Sequence, residues 1–151
     1  MNSMSVKTQI EKDLKEAIRS QDEPRKRTLR SALSAIKLAE VEAGDPLDDA
    51  GLNNIIHKEI KSRKESIADA ERAGRSEMIV QSQAEITILQ GYLPKAFSPE
   101  QLEQMAREAI AEAGATSPQQ MGQVMKILLP RLEGRASGND ASQMVKKLLG
   151  A

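Results

Sequence analysis

The chain has 151 residues, with 22 Lys and Arg against 22 Asp and Glu, no Cys, no Trp, one Tyr and one Phe. That length allows one large domain or two small ones. Balanced charge excludes a global field driving the chain onto nucleic acid or membrane, so any such role rests on a local patch. Without cysteine there is no disulfide framework, zinc–thiolate site or thiol chemistry.

Ala, Leu, Ile, Met, Glu, Lys, Gln and Arg dominate, all good helix formers, and no run alternates with period two. The expected class is all-α. No apolar run approaches the ~18 residues of a membrane span, and Met1 to Thr8 lacks the apolar core of a secretory leader. The default placement is cytoplasmic.

In chain order, a first helix is predicted from Val6 to Ser20. Ser5 caps it, and Val6, Ile10, Leu14 and Ile18 form its apolar stripe. A second restarts at Asp22-Glu23-Pro24, turns Leu29, Leu33 and Ile36 inward with Val41 as an extension, and stops at Gly44-Asp45-Pro46. Between Pro24 and Ala39 it carries Arg25, Lys26, Arg27, Arg30 and Lys37 with no acid among them. The plain reading is a solvated face balanced by Glu40, Glu42 and the next helix; the sharper one is a stripe facing phosphate.

The third and longest helix runs from Asp49 to Ala73. Leu52, Ile56, Ile60, Arg63, Ile67 and Ala70 follow coiled-coil-like spacing, with Arg63 the one polar intruder, expected to snorkel or pair with a nearby carboxylate. Glu59 with Arg63 and Lys61 with Glu65 read as surface i,i+4 pairs. Gly74 ends this helix and Ser76 caps a fourth, Glu77 to Gln90, on a weaker stripe of Met78, Ile79, Ile86 and Leu89. His57, the single histidine, reads as a helix-surface or partly buried side chain.

Gly91 to Pro99 gathers a glycine, two prolines and both aromatic residues, and Pro94 disfavours helix at Leu93. This marks a boundary at which Tyr92 and Phe97 plug the joint. The expected organisation is a helical unit of about four helices over 1–91, a linker over 92–98, and a three-helix bundle over 99–151.

Ser98-Pro99-Glu100-Gln101 is a capping box, echoed at Ser117-Pro118-Gln119-Gln120. The fifth helix, Pro99 to Ala113, turns Leu102, Met105, Ala106, Ala109 and Ile110 inward. The sixth begins at Pro118, buries Met121, Val124, Met125, Leu128 and Leu132, and meets Pro130 late, where a kink or early end is due. Ser137 caps a seventh that buries Met144, Val145 and Leu148.

Charge separates along this second unit. From Pro99 to Gln120 the net is −3; from Met121 to Ala151 it is +3, with Lys126, Arg131, Arg135, Lys146 and Lys147 against Glu133 and Asp140. Gly122, Gly134 and Gly138 do not make a phosphate loop, since no strand precedes them and their spacing fits neither glycine motif. Gly122 is expected to permit close helix packing, and Gly134 and Gly138 to supply positive-φ turns. No nucleophile–base pair or metal-ligand set is visible. No cofactor, metal or small-molecule substrate is expected.

The chain resembles the YqeY proteins, which are similar to the C-terminal tail of GatB, a subunit of the tRNA-dependent amidotransferase. The resemblance rests on Thr28-Leu29-Arg30 with Ala35-Ile36-Lys37, Lys58-Glu59-Ile60-Lys61 with Arg63-Lys64-Glu65-Ser66-Ile67, and Tyr92-Leu93-Pro94. The part most like the tail is Gly122-Gln123-Val124-Met125-Lys126, Gly134-Arg135-Ala136 and Val145-Lys146-Lys147.

The resemblance implies a tail-like unit that touches tRNA through Lys126, Arg131, Arg135, Lys146 and Lys147. Gly122, Gly134, Gly138, Tyr92 and Pro94 act as turn and hinge positions. It also carries, by association only, glutamine-dependent carbon–nitrogen ligation, for which no residues are present. Asn139 and Asp140 depart from the family pattern, removing a positive charge after the turn glycine and adding a negative one. The expected function is a non-catalytic tRNA-binding adaptor. The alternative is a helical protein–protein module whose Met105, Met121, Met125 and Met144 make adaptable contacts.

Overall fold

The computed structural model describes residues 5–150; the first four residues, part of the stretch read above for a leader, and residue 151 lie outside it. Among the described residues the ordered elements are seven α-helices and two short 3-10 turns, with no strand. The chain divides into two compact units, residues 1–93 and 94–151, each with its own apolar core.

In the first unit, α1 (Val6–Arg19), α2 (Glu23–Ala43), α3 (Asp49–Ala73) and α4 (Ser76–Gln90) follow the apolar periodicity closely. Their starts have chemical causes. The Ser5 hydroxyl accepts from the Thr8 N–H at 3.2 Å, and the Asp22 and Asp48 carboxylates accept from Arg25 and Gly51 at 3.3 and 2.8 Å. Each such cap stabilises its helix by about 1 kcal/mol. Gly44 and Gly74 end α2 and α3 in the left-handed conformation.

Ile10, Leu29, Ile36, Ile56 and Leu89 are fully buried. Burying each contributes about 2 kcal/mol. Several expectations change in this unit. Ile18 is exposed while Ala17 is buried, because the inner face of α1 drifts from a strict four-residue step. Val41 and Met78 point to solvent. Ser76 is the first residue of α4 rather than its cap; Arg75 occupies the cap position and provides no side-chain bond.

Arg63 pairs with carboxylates as expected, but not at the surface. Its Nε donates to Glu85 at 3.2 Å and its Nη1 to Glu59 at 3.2 Å. The Ser31 hydroxyl donates to the same Glu59 at 2.8 Å, and Arg27 stands 3.7 Å from Glu85. The Glu59–Arg63 pair is therefore not a surface pair. It belongs to a polar layer joining α2, α3 and α4, with the Arg63, Glu59 and Glu85 side chains only 12%, 18% and 10% exposed. His57 is half-buried on α3.

Of the basic run on α2, Arg25 faces Asp13, Lys26 faces Glu23 and Arg27 faces Glu85. Carboxylates do balance these three, but they are Asp13, Glu23 and Glu85 rather than the expected Glu40, Glu42 and α3. Arg30 and Lys37 remain exposed.

The second unit holds α5 (Pro99–Ala113), α6 (Met121–Leu128) and α7 (Gly138–Leu148), with 3-10 turns at Pro118–Gln120 and Leu129–Arg131. Both halves of the Ser98–Gln101 capping box form, at 3.1 and 2.9 Å. At the second box the Gln120 side chain accepts from the Thr116 and Ser117 N–H groups, and α6 proper starts only at Met121. The core combines small and branched residues: Ala106, Ala109 and Ala141 with Val124, Leu128 and Val145. Met105, Met121, Met125 and Met144 are half-buried and pack against that core.

Tyr92 and Phe97 go to different cores. Tyr92 packs in the first unit and donates to Asp13 at 2.5 Å, while Phe97 packs in the second.

Candidate nucleic-acid interface

The basic stretch is built from α6, a turn and α7. Pro130 has no N–H to offer the helix, and the chain tightens into the 3-10 turn Leu129–Arg131. Glu133 and Gly134 then both adopt positive φ, 50° and 77°, which reverses the backbone within two residues. Glycine takes that conformation without a Cβ clash; the non-glycine at 133 was not legible in the sequence. The Ser137 hydroxyl caps α7 by accepting from the Asp140 N–H at 3.0 Å.

The other two glycines behave differently from expectation. Gly138 is the first residue of α7 and not a positive-φ turn residue, with Leu129 in ordinary contact 3.5 Å from where a Cβ would sit. A Cβ on Gly122 meets nothing within 4 Å, so this glycine does not serve close helix packing.

The five cations fall into two groups. Arg131 makes a two-pronged ion pair with Glu112 at the end of α5, at 2.5 and 3.0 Å. That hydrogen bond holds the Glu112 carboxyl below its ordinary range and raises the guanidinium. Arg135 stacks on the Phe97 ring, 4.1 Å from its centroid, and its Nε donates to the Lys95 carbonyl at 2.8 Å. The Phe97 N–H returns a bond to the Arg135 carbonyl at 2.9 Å. Arg135 thus fastens the segment before α5 to the turn before α7.

Lys126, Lys146 and Lys147 are exposed, and no ion pair among the described residues involves them. Lys126 stands in the last turn of α6, and Lys146 and Lys147 in the last turn of α7, where the helix dipole favours cations. Asp140 lies in the first turn of α7, where the same dipole favours an anion. An open groove of about 770 Å³ runs beside α7, lined by Phe97, Leu102, Asp140, Met144, Lys146 and Lys147.

Chemically, Lys146 and Lys147 beside the groove can hold phosphates by charge, and so can Lys126 on α6, which does not line that groove. Among the described residues no three His, Asp or Glu side chains gather as a metal site, and no helix is long and apolar enough to cross a membrane.

A family model described as Yqey-like protein matches residues 7–149. The chain belongs to the YqeY family. Its curated relatives include proteins named altered inheritance of mitochondria protein 41, mitochondrial. That of Pyrenophora tritici-repentis is 30% identical over 152 residues, covering 97% of this chain and 82% of the relative. That of Kluyveromyces lactis is 32% identical over 139 residues, covering 88% and 75%. That of Lachancea thermotolerans is 39% identical over 85 residues, covering 56% of this chain and 46% of the relative, under half its length.

These names overturn the cytoplasmic placement expected above. That placement rested on the lack of an apolar leader, which is the mark of secretion. Mitochondrial targeting uses amphipathic, Arg-rich segments and is not tested by it.

Proposed function

We propose that this YqeY-family chain is a non-catalytic tRNA-binding adaptor related to the tail of the tRNA-dependent amidotransferase. In this reading a four-helix unit over 1–91 and a linker over 92–98 precede a three-helix, tail-like bundle over 99–151 that meets the RNA. The observation that carries it is the set of three exposed lysines, Lys126, Lys146 and Lys147, left without a carboxylate partner among the described residues. Their neighbours Arg131 and Arg135 are occupied within the unit and act mainly by fixing the turn that joins α6 to α7.

Recognition is by shape, through backbone phosphates and ribose. One Tyr and one Phe, each packed in a core, leave little aromatic surface for reading single-stranded bases. The test is ultraviolet crosslinking of the full chain in cells, followed by sequencing of the attached RNA. Enrichment of tRNA supports the proposal, and an RNA profile matching bulk RNA contradicts it. Capture from lysate with and without ribonuclease separates the alternative: a protein partner retained after ribonuclease, with no tRNA crosslinked, favours a helical protein–protein module.

A further inference from the structure

Gly122 stands where the fold has no use for a glycine. It lies inside the helical stretch that runs from Pro118 through α6, its φ is not positive, and a Cβ there meets nothing within 4 Å. Alanine would fit and would hold the helix better, since glycine is the poorer helix former. The remaining physical reason for a bare backbone on a helix is the close approach of something bound from outside.

The chemistry of the surrounding face points to the occupant. Gly122, Lys126 and Leu129 are spaced i, i+4 and i+7, so they line one side of α6 and the turn after it, and all three are exposed. Gln119 and Gln123 flank them, also exposed, and no hydrogen bond among the described residues uses either side-chain amide. No Asp or Glu occurs from Ala113 to Leu132, and the preceding acid, Glu112, is occupied by Arg131. Lys126 has no ion-pair partner among the described residues. The face thus offers one cation, two amides that both donate and accept, and a strip of backbone without a side chain. The cation suits an anion, and the amides suit a hydroxyl, which also donates and accepts. A ribose–phosphate chain carries both groups.

We infer that the outer face of α6 is where the RNA backbone lies closest to the protein, with Gly122 as the point of contact. Lys126 takes a phosphate, and Gln119 and Gln123 bond the ribose hydroxyls that distinguish RNA from DNA. The inference rests on the tRNA-binding reading above and adds to it the element that makes the contact specific to RNA. A side chain at position 122 holds the backbone off and stretches those hydrogen bonds beyond their working range.

Filter binding of the full chain to tRNA and to a DNA hairpin of equal length tests the assignment, with thermal melting followed by circular dichroism. Gly122→Ala is expected to raise the melting temperature by about 3 °C. It nevertheless weakens tRNA binding about threefold, and the bulkier Gly122→Leu weakens it about tenfold or more. The salt slope stays unchanged in Gly122→Ala, since no phosphate contact is lost, which separates this effect from that of Lys126→Gln. Gln119→Ala with Gln123→Ala lowers affinity for tRNA about tenfold and leaves affinity for the DNA as it was. If the unaltered chain binds tRNA and neither variant at position 122 weakens it, this inference falls and the tRNA reading stands. A Gly122→Ala chain that melts below the unaltered one overturns it too, because the glycine then serves the fold, as does a glutamine variant that weakens DNA as much as tRNA. No retention of tRNA by the unaltered chain overturns both.

Discussion

Arg131 and Glu112 face each other through two hydrogen bonds, 2.5 and 3.0 Å, across 19 residues of sequence. The pair joins the acidic end of α5 to the basic turn after α6, so the charge split along the second unit is partly cancelled within the fold. Removing the acid alone should release the cation. Glu112→Gln is therefore expected to raise tRNA affinity at low salt and to steepen the salt dependence by up to about 0.9 in log–log slope, the share of one phosphate contact. Filter binding over a salt series measures this; an unchanged slope would show that the guanidinium does not reach phosphate even when freed.

A second carboxylate gives an acid-stability prediction. Glu40 accepts from Lys7 at 2.6 Å and from the Leu47 N–H at 2.9 Å, and these bonds hold its carboxyl below the ordinary 4.5. The unfolded chain binds the Glu40 proton more tightly, so below 4.5 it gains protons first and stability falls with pH. The contribution is complete above about 4.5 and is lost as pH falls through the folded value. Melting temperature should be level near neutrality and drop in acid, and Glu40→Gln should flatten part of that drop while lowering the neutral plateau.

Arg63 sits in a layer with two carboxylates and little water. Removing one partner leaves charge poorly compensated, and Glu85→Ala is expected to cost about 3 kcal/mol in a urea titration. Arg63→Met with Glu59→Gln and Glu85→Leu should cost clearly less, because neutral side chains of similar volume leave no buried charge in the layer. If the triple variant is the less stable of the two, the layer is not held by charge compensation.

Tyr92 is the single tyrosine, in a chain without tryptophan, so its ionisation can be followed alone by ultraviolet absorbance. Burial and the bond to Asp13 raise its phenol well above the ordinary 10.0. The folded state keeps the proton that the unfolded chain loses there, so this stabilisation is complete below pH 10 and is lost as pH rises toward the folded value. Tyr92→Phe is expected to lower stability at neutral pH by about 1.5 kcal/mol and to remove this alkaline dependence. Tyrosinate absorbance appearing near pH 10 in the folded protein would contradict the geometry.

Helices and most inward residues were legible because apolar spacing and caps are local signals. The bounds of α3 and α5, and the roles of Ser5 and Ser98, follow from residues within a few positions of each other. What escaped the sequence depends on distant partners. Nothing near Arg131 announces Glu112, and nothing near Arg135 announces the Phe97 ring and the Lys95 carbonyl. The Glu59–Arg63 spacing suggested a surface pair because Glu85 and Ser31, which enclose it, lie on other helices. Residue type alone points to packing for Gly122 and a positive-φ turn for Gly138, and only the backbone shows that neither fills that role.

The central claim is that tRNA is held through phosphates by Lys126, Lys146 and Lys147. Its most direct test is filter binding of purified full-length chain to tRNA over a salt series, compared with the triple variant Lys126→Gln, Lys146→Gln and Lys147→Gln. The account predicts tRNA binding that weakens with salt, and a log–log slope shallower by about 2.7 in the triple variant. No retention of tRNA by the unaltered chain at low salt, or equal slopes for the two proteins, would contradict it.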